Sequence, residues 1–472
     1  MATTVTSNAL LKEWVEETIY ETINYETLFA DFSDEVPYEW EGDHIRIVVH
    51  TGQNTSFARI AEFGALPAPG NQSYLNLLVS TSESASTLSI SSRAQAASSD
   101  APSKGALAKI LEREKTGLVK DVKLGLDLDR CFGGQIKGLL NQHVAAAAWP
   151  DTAAAATIAV PNEGPVINEY SGDFRPFLGV VTANSATWVR VRLFRMDTYA
   201  EILPSLGVGG TQAGSGIYVS AIDQTGLTVT ISVISDVAGS DLNTDITAIG
   251  FAIALGLHTT PVTLAAGADA GAAFGSVVSF ALEPNGVFTN LCSPIHFTAN
   301  RTTATATGIG LQSTVLTQSV VAGSARVAVS PARVQAVLDQ ILNKTGSDKD
   351  MPDFVVFNPL QRSLYTAVLV ANPQYKTNEG SGKTDMGPKF SDVSFMGYTP
   401  KVSHHWPRGC VAFLKKATWM QPQFKKPGFM DMDGSWLARV PGQAGYSAAY
   451  QTFDQFVCAE PRANAILTGI NV

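Results

Sequence analysis

Residues 45–93 constrain this chain more than any other stretch, because they alternate like strands yet lack the means to build a core. Ile45, Ile47 and Val49 alternate with Arg46, Val48 and His50, a period of two that predicts a β-strand. Leu75, Leu77 and Val79 repeat the pattern, and Leu88 and Ile90 begin a third run. Between the first two lies a turn-rich tip, Gly64-Ala-Leu-Pro67-Ala-Pro69-Gly70. Long strands flanked by so few large apolar residues bury too little surface to stand alone. They predict an extended arm that gains its stability by lying on something else.

The flanks are of other kinds. Residues 1–45 hold eleven acidic residues against one base, Lys12. Within them Leu11, Trp14, Val15, Thr18, Ile19, Thr22 and Ile23 recur at helical spacing, predicting an amphipathic helix with an acidic polar face. A helix on a membrane surface would carry Lys and Arg there, so a protein groove is the better partner. After the extension, Ser103 offers an N-cap for a long helix carrying Leu107, Ile110, Leu111, Leu118, Val122, Leu126, Ile136, Leu139 and Leu140. Gly117, Gly125 and the Gly133-Gly134 pair weaken it by about 1 kcal/mol each relative to Ala, so a bend or break is expected near Gly133, and Pro150 ends the pattern. No lysine occurs between Lys137 and Lys344, and neither Lys nor Arg between Arg195 and Arg301. There Trp188–Leu193, Gly216–Ala221 and Leu227–Val233 read as short strands of an all-β unit. From Ser330-Pro331 the pattern returns to α/β. A helix through Val334, Val337, Leu338 and Leu342 comes first, then a buried strand Asp353–Phe357, then Asn358-Pro359 and a second helix at Leu360–Val370.

Composition narrows the class. The 472 residues are 45% hydrophobic and 16% charged, against roughly 25% charged in average soluble proteins, which excludes general disorder. The length suggests about three domains. A formal charge of −9 argues against coating nucleic acid by phosphate neutralisation. Cys131, Cys292, Cys410 and Cys458 lie far apart without a CxxC pair, indicating neither a disulfide framework nor a zinc site. The N-terminus shows no secretory signal, and the longest apolar run, Ile249 to Leu257, is too short to span a bilayer. A soluble, multi-domain chain of a reducing compartment is expected, with no membrane partner.

Motif by motif, chemistry fails to assemble. Gly380-Ser-Gly382-Lys383-Thr384 matches the end of a phosphate-binding loop, but the required upstream glycine is Thr377, and Met386-Gly387-Pro388 would break the helix that must follow. Asp431-Met-Asp433-Gly434 starts like a calcium loop and lacks its later acids. His404-His405-Trp406 suggests a metal pair, yet neighbours on a strand point to opposite faces. No GxSxG is present. The expectation is a non-enzyme with no catalytic residue, cofactor or metal.

The order of elements resembles that of the major capsid proteins of tailed bacteriophages, a fold shared with herpesvirus capsid floors and encapsulins. The acidic arm (1–44) resembles the N-arm and residues 45–102 the E-loop. Residues 103–199 resemble the spine helix and peripheral (P) domain, residues 286–345 the P-domain return and the start of the axial (A) domain, and 346–472 the A-domain with its C-terminal strand. Asp353–Pro359 (DFVVFNP), Phe395–Pro400, Pro407–Leu414 and Ala459–Ile470 carry the likeness in detail. Residues 200–285 exceed a minimal subunit and are expected to be an inserted β-rich domain. The fold implied is α+β.

The resemblance implies self-assembly through hexamers and pentamers into an icosahedral shell around packaged double-stranded DNA, without sequence-specific binding. It also implies a portal and a scaffolding protein and leaves a decoration protein open, with assembly in the host cytoplasm and residence in the virion capsid. No charged coiled coil precedes the arm, so a separate scaffolding protein is expected, or a scaffold segment removed ahead of Met1. The start at Met1 favours no cleavage. Trp14, Arg46, Arg59, Glu62 and Arg93 are the candidates for contacts between subunits. Two alternatives remain open: an encapsulin-like compartment shell, and a β-rich surface or adhesion protein.

Overall fold

The structure is a computed structural model. It describes residues 27–29, 32, 35–37, 45–54, 56–79, 82–92, 110–134, 136–141, 162–177, 189–195, 201–202, 216–224, 228–234, 253–257, 263–264, 270–271, 284–292, 314–317, 329–370, 398, 400–431, 438–442 and 444–470. The arm helix expected before residue 27, the Gly380–Thr384 loop and Ser103 lie outside these residues.

In chain order, β1 (Glu35–Pro37), β2 (Ile45–Gly52), β3 (Ser73–Val79) and β4 (Ser82–Ser91) precede helix α1 (Ile110–Phe132). Then come β5 (Ile136–Asn141), β6 (Asn162–Gly172), β7 (Val189–Arg195), β8 (Glu201–Ile202), β9 (Gly216–Asp223), β10 (Thr228–Ile234) and β11 (Ile253–Leu257). Two short strands, β12 (Thr263–Leu264) and β13 (Ala270–Gly271), lead to α2 (Val287–Cys292) and β14 (Thr314–Thr317). The remainder is α3 (Pro331–Thr345), β15 (Phe354–Phe357), α4 (Pro359–Val370), β16 (Pro400–Val402), β17 (Val411–Leu414), β18 (Trp419–Phe429), β19 (Ala438–Arg439), β20 (Gly445–Asp454), β21 (Val457–Cys458) and β22 (Ala465–Thr468). Helices and sheets of mixed direction make this an α+β fold.

The chain divides into two compact units. The smaller comprises Met1–Thr27, Ser84–Leu126 and Lys426–Thr452. In it β20 pairs with both β4 and β19. Leu88, Leu118 and Ala448 are buried together, with Ile90, Phe429 and Tyr450 packed against them. Lys115 Nζ sits 5.2 Å from the Phe429 ring centroid, a cation–π placement. The third expected strand is therefore not free ribbon: β4 alternates buried and exposed residues and delivers Leu88 to a core.

The larger unit comprises Leu28–Glu83, Asp127–Lys425 and Phe453–Val472. Its five-stranded sheet runs β14-β22-β17-β15-β16. The strands β22, β17 and β15 are almost wholly apolar without alternation because both of their faces are buried. Val355, Phe357, Val411, Phe413, Ala465 and Leu467 face α3, which supplies Val334, Val337, Leu338 and Ile341 at i, i+3, i+4 and i+7. The intervening Val356, Ala412 and Ile466 enter a second, aromatic core. The helix starts at Ser330-Pro331 as expected, and Ser330 caps it, its Oγ accepting the Arg333 N–H at 3.3 Å.

The β-rich stretch forms a barrel. Strand order is β11-β5-β6-β10-β9-β7-β8 with an added β11–β7 pairing, so all but β8 close into a ring of antiparallel neighbours. Closure removes sheet edges. Val189, Val191 and Leu193 alternate along β7 and are buried, while Leu139 of β5 and Phe194 of β7 belong to the aromatic core. The ring draws on both sides of residue 200, where the resemblance placed the start of an insertion.

One helical expectation is corrected. The helix does break near Gly133, but Ile136, Leu139 and Leu140 lie on β5 rather than on its continuation. Gly134 has φ 81, and a Cβ at Gly133 would lie 2.0 Å from the Pro284 carbonyl oxygen, so neither position accepts an ordinary helical residue. Apolar spacing across the break satisfied a 3.6 period by coincidence.

Candidate functional site

Two features of the larger unit stand out, a solvent-exposed hairpin and a cleft. The hairpin is β2 paired with β3 in antiparallel register, Ile45↔Val79 through His50↔Tyr74, with an irregularity between His50 and Gly52. Beyond it residues 53, 54 and 56–72 lie in a long loop. Asn54 ties the neck: its Nδ2 donates to the Gly70 carbonyl and its Oδ1 accepts the Ser56 N–H, both at 2.8 Å. A Cβ at Gly70 would sit 2.5 Å from Asn54 Oδ1, so glycine permits this closure.

The loop tip reverses at Ala61–Gly64, where the Gly64 N–H donates to the Ala61 carbonyl at 2.8 Å. Phe63 occupies the left-handed region with φ 62, which costs a bulky L-residue about 1–2 kcal/mol. Its side chain is 100% exposed; Phe57 is 90% and Leu66 84% exposed. Large apolar side chains held in water this way mark a binding surface.

Of the contact candidates, Arg59 and Glu62 lie exposed on this tip. Arg46 lies on β2 opposite Leu78. Trp14 and Arg93 lie outside the described residues. Sequence reading selected the charges and passed over Phe57, Phe63 and Leu66. The Pro- and Gly-rich setting around Leu66 was the available signal.

The cleft has a volume of about 300 Å³ and is lined by Phe132, Tyr170, Phe174, Arg175, Trp406 and Arg408, with His404 and His405 among its other neighbours. The two histidines lie on a bend, not a strand, so the opposite-faces argument from sequence does not apply and both line one cleft. His405 Nδ1 is 2.8 Å from Asp127 Oδ2, and Asp127 is fully buried. Asp127 Oδ1 accepts the Phe29 N–H at 2.6 Å, while Arg130 Nη1 donates to the Phe29 carbonyl at 3.0 Å. Arg175 donates from Nε to both oxygens of Asp173, at 2.9 and 3.0 Å. Tyr170 Oη lies 2.9 and 3.0 Å from the carbonyl oxygens of Lys137 and Asp173 and donates between them. Burial, reinforced by the Asp173 charge, pushes the Tyr170 hydroxyl well above the usual phenol range.

A His–Asp pair is an acid–base arrangement that needs a nucleophile to become a triad. The two cysteines of this region, Cys131 and Cys410, are buried, and desolvation raises both thiols well above their usual range, so they stay protonated and unreactive. Among the described residues no group of three or more His, Cys, Asp or Glu could hold a metal ion. Asp127 holds both Phe29 and His405, an arrangement that secures the packing of rings at 5.8 Å (Phe29 with Trp406) and 5.3 Å (Phe288 with Trp406).

No family model matches the chain, and no curated protein matches it. Among solved structures it is similar to a chain of the cyanophage A-1(L) capsid asymmetric unit, with a TM-score of 0.49 and 11% identity over 99% of each chain. It is similar to a chain of the capsid of a native GTA particle, with a TM-score of 0.43 and 8% identity over 100% of each. It is also similar to a chain of the cyanophage P-SCSP1u capsid, with a TM-score of 0.43 and 7% identity, covering 99% of this chain and 95% of that one.

Proposed function

We propose that this chain is a major capsid protein of the tailed-bacteriophage type, a structural rather than catalytic protein that self-assembles through hexamers and pentamers into an icosahedral shell around double-stranded DNA. The observation that carries the reading is the hairpin: a paired ribbon with a locked neck, whose tip holds Phe57, Phe63 and Leu66 in water. Its tip has no core of its own. Such an extension gains stability from a neighbouring copy, where side-chain burial and main-chain pairing become available. Repetition around a closed shell turns each modest contact into a multivalent one. The fold supports the same role: β2–β3 takes the part of the E-loop, α1 that of the spine helix, and the five-stranded sheet with α3 and α4 the A-domain.

Arg46, Arg59 and Glu62 on this extension are assigned to contacts between subunits, as are Trp14 and Arg93. The formal charge of −9 suits a container wall that does not grip packaged DNA. A portal and a separate scaffolding protein complete the assembly, which takes place in the host cytoplasm.

Deleting residues 57–68 while keeping Asn54 and Gly70 tests the reading. The deletion spares β4 and its buried Leu88, so the subunit is expected to stay folded and soluble, without closing shells. Normal closed particles from that variant would contradict it.

A further inference from the structure

Among the described residues, the large apolar side chains left exposed are Val48 and Tyr74 on the ribbon, Phe57, Ile60, Phe63 and Leu66 on its loop, and Leu360 of α4. All but Leu360 lie on the hairpin, so the described surface that best matches a hairpin tip is a second hairpin tip. The loop also carries one charge of each sign. Arg59 and Glu62 are both exposed, and neither has an ion-pair partner among the described residues. We propose that the tips of two copies meet across a twofold axis, Arg59 of each pairing with Glu62 of the other. The proposal rests on the reading of the hairpin as an arm between subunits and names what that arm meets.

Charge, order and rigidity agree. A twofold contact is self-complementary: a residue that touches a second across the axis is met by the same pair in reverse. One cation and one anion in a single loop satisfy that rule with two ion pairs. Ile60 and Ala61 lie between the charges and come nearest the axis. Phe57 stands two residues before Arg59 and Phe63 one after Glu62, so the same apposition brings Phe57 of each copy towards Phe63 of the other. Such rings favour offset or edge-on pairs and bury about 150–250 Å² each, while the exposed charges chiefly fix the register. The turn is built to hold this shape. Its Gly64 N–H donates to the Ala61 carbonyl, and Ile60 Cγ2 lies 2.8 Å from where a Cβ on Gly64 would stand. Phe63 keeps its left-handed backbone there, and strain of this kind clusters at functional sites. The neck locked by Asn54 lowers the ordering cost of docking.

The test uses shells of the full chain carrying Ala61→Cys, with Gln340→Cys on the exposed side of α3 as the control for chance collision. The native cysteines are all buried, so background cross-linking is low. A short bis-maleimide is expected to convert the Ala61→Cys chain into dimers and nothing larger, while the Gln340→Cys chain stays monomeric. Monomer, trimer or a ladder from Ala61→Cys, or equal dimer from both variants, would overturn the twofold contact.

If the cysteine chain does not assemble, charge reversal decides. Arg59→Glu and Glu62→Arg should each lower shell yield about tenfold, and together restore it. No effect, or no rescue, overturns the proposal. Closed shells whose Ala61→Cys chain stays monomeric would remove the contact and keep the capsid reading. Specific Ala61→Cys dimers from a chain that forms neither shells nor rings would keep the contact and remove that reading.

Discussion

Asp127 and Phe29 are 98 residues apart in sequence and joined at 2.6 Å, the buried carboxylate accepting the backbone N–H of a residue whose ring is itself fully buried. Arg130, one helical turn on, takes the carbonyl of the same residue. One turn of α1 thus satisfies both backbone polar groups of Phe29 and, through Asp127, orients His405. Removing the carboxylate leaves a buried N–H and an imidazole without their partner. Asp127→Ala should cost about 3 kcal/mol, while Asp127→Asn, which can still accept the N–H, should cost less. Urea midpoints of the unassembled chain measure both.

Two glycines of neighbouring sequence predict opposite outcomes. Gly117 lies in the interior of α1 with nothing within 4 Å of an added Cβ, so Gly117→Ala should stabilise by about 0.5–1 kcal/mol. Gly133→Ala would bring a methyl group to 2.0 Å from the Pro284 carbonyl oxygen and 2.3 Å from that of Asp129, both backbone atoms. It should destabilise by about 3 kcal/mol or prevent folding. Thermal unfolding of the two variants side by side checks the pair.

Phe63→Gly separates fold from assembly. It relieves the left-handed strain and removes the exposed ring, so the free subunit should be unchanged or more stable by up to about 1 kcal/mol. Shell yield should nevertheless fall. A variant that lost stability in proportion to assembly would show that Phe63 serves the subunit's own fold.

Lys344, in the last turn of α3, has its ammonium pKa lowered to about 8 by burial. Below pH 8 it is charged in both states and the folded state carries the desolvation cost. Between pH 8 and about 10.4 the unfolded chain binds the extra proton, so stability should rise with pH across that window. Lys344→Met should abolish the rise and add about 1 kcal/mol at pH 7, after allowance for partial exposure and the lost attraction to the helix C-terminus. Chemical denaturation at pH 7, 8.5 and 10 reads it.

What could be seen in the sequence was local. Ser330-Pro331 and the apolar spacing behind it define α3, and DFVVF defines β15, because caps and buried runs are written in adjacent residues. The alternation in 45–49 and 75–79 gave the hairpin for the same reason. What could not be seen depends on distant partners. Leu139 and Leu140 continue the helical period of α1 by chance; the Gly133-Gly134 pair signalled the break, but that the chain resumes as β5 depends on partners distant in sequence. The barrel closes through β11 against both β5 and β7, a pairing between residues 58 to 120 positions apart that no local pattern encodes. The cleft escaped for a similar reason: Asp127 is one of several acids on a charged helix, and its burial follows from Phe29 and His405. At the hairpin, charge is visible in the sequence, whereas the exposure of Phe57, Phe63 and Leu66 is a property of the folded loop.

The measurement that tests the account most directly is electron microscopy of the purified full chain, alone and with a scaffolding protein supplied, alongside its size-exclusion elution. Closed shells or five- and six-fold rings are the result expected of a capsid subunit whose hairpin tip is completed by a neighbour. A monodisperse monomer under both conditions, with the Phe57–Leu66 tip still open to protease, would contradict it.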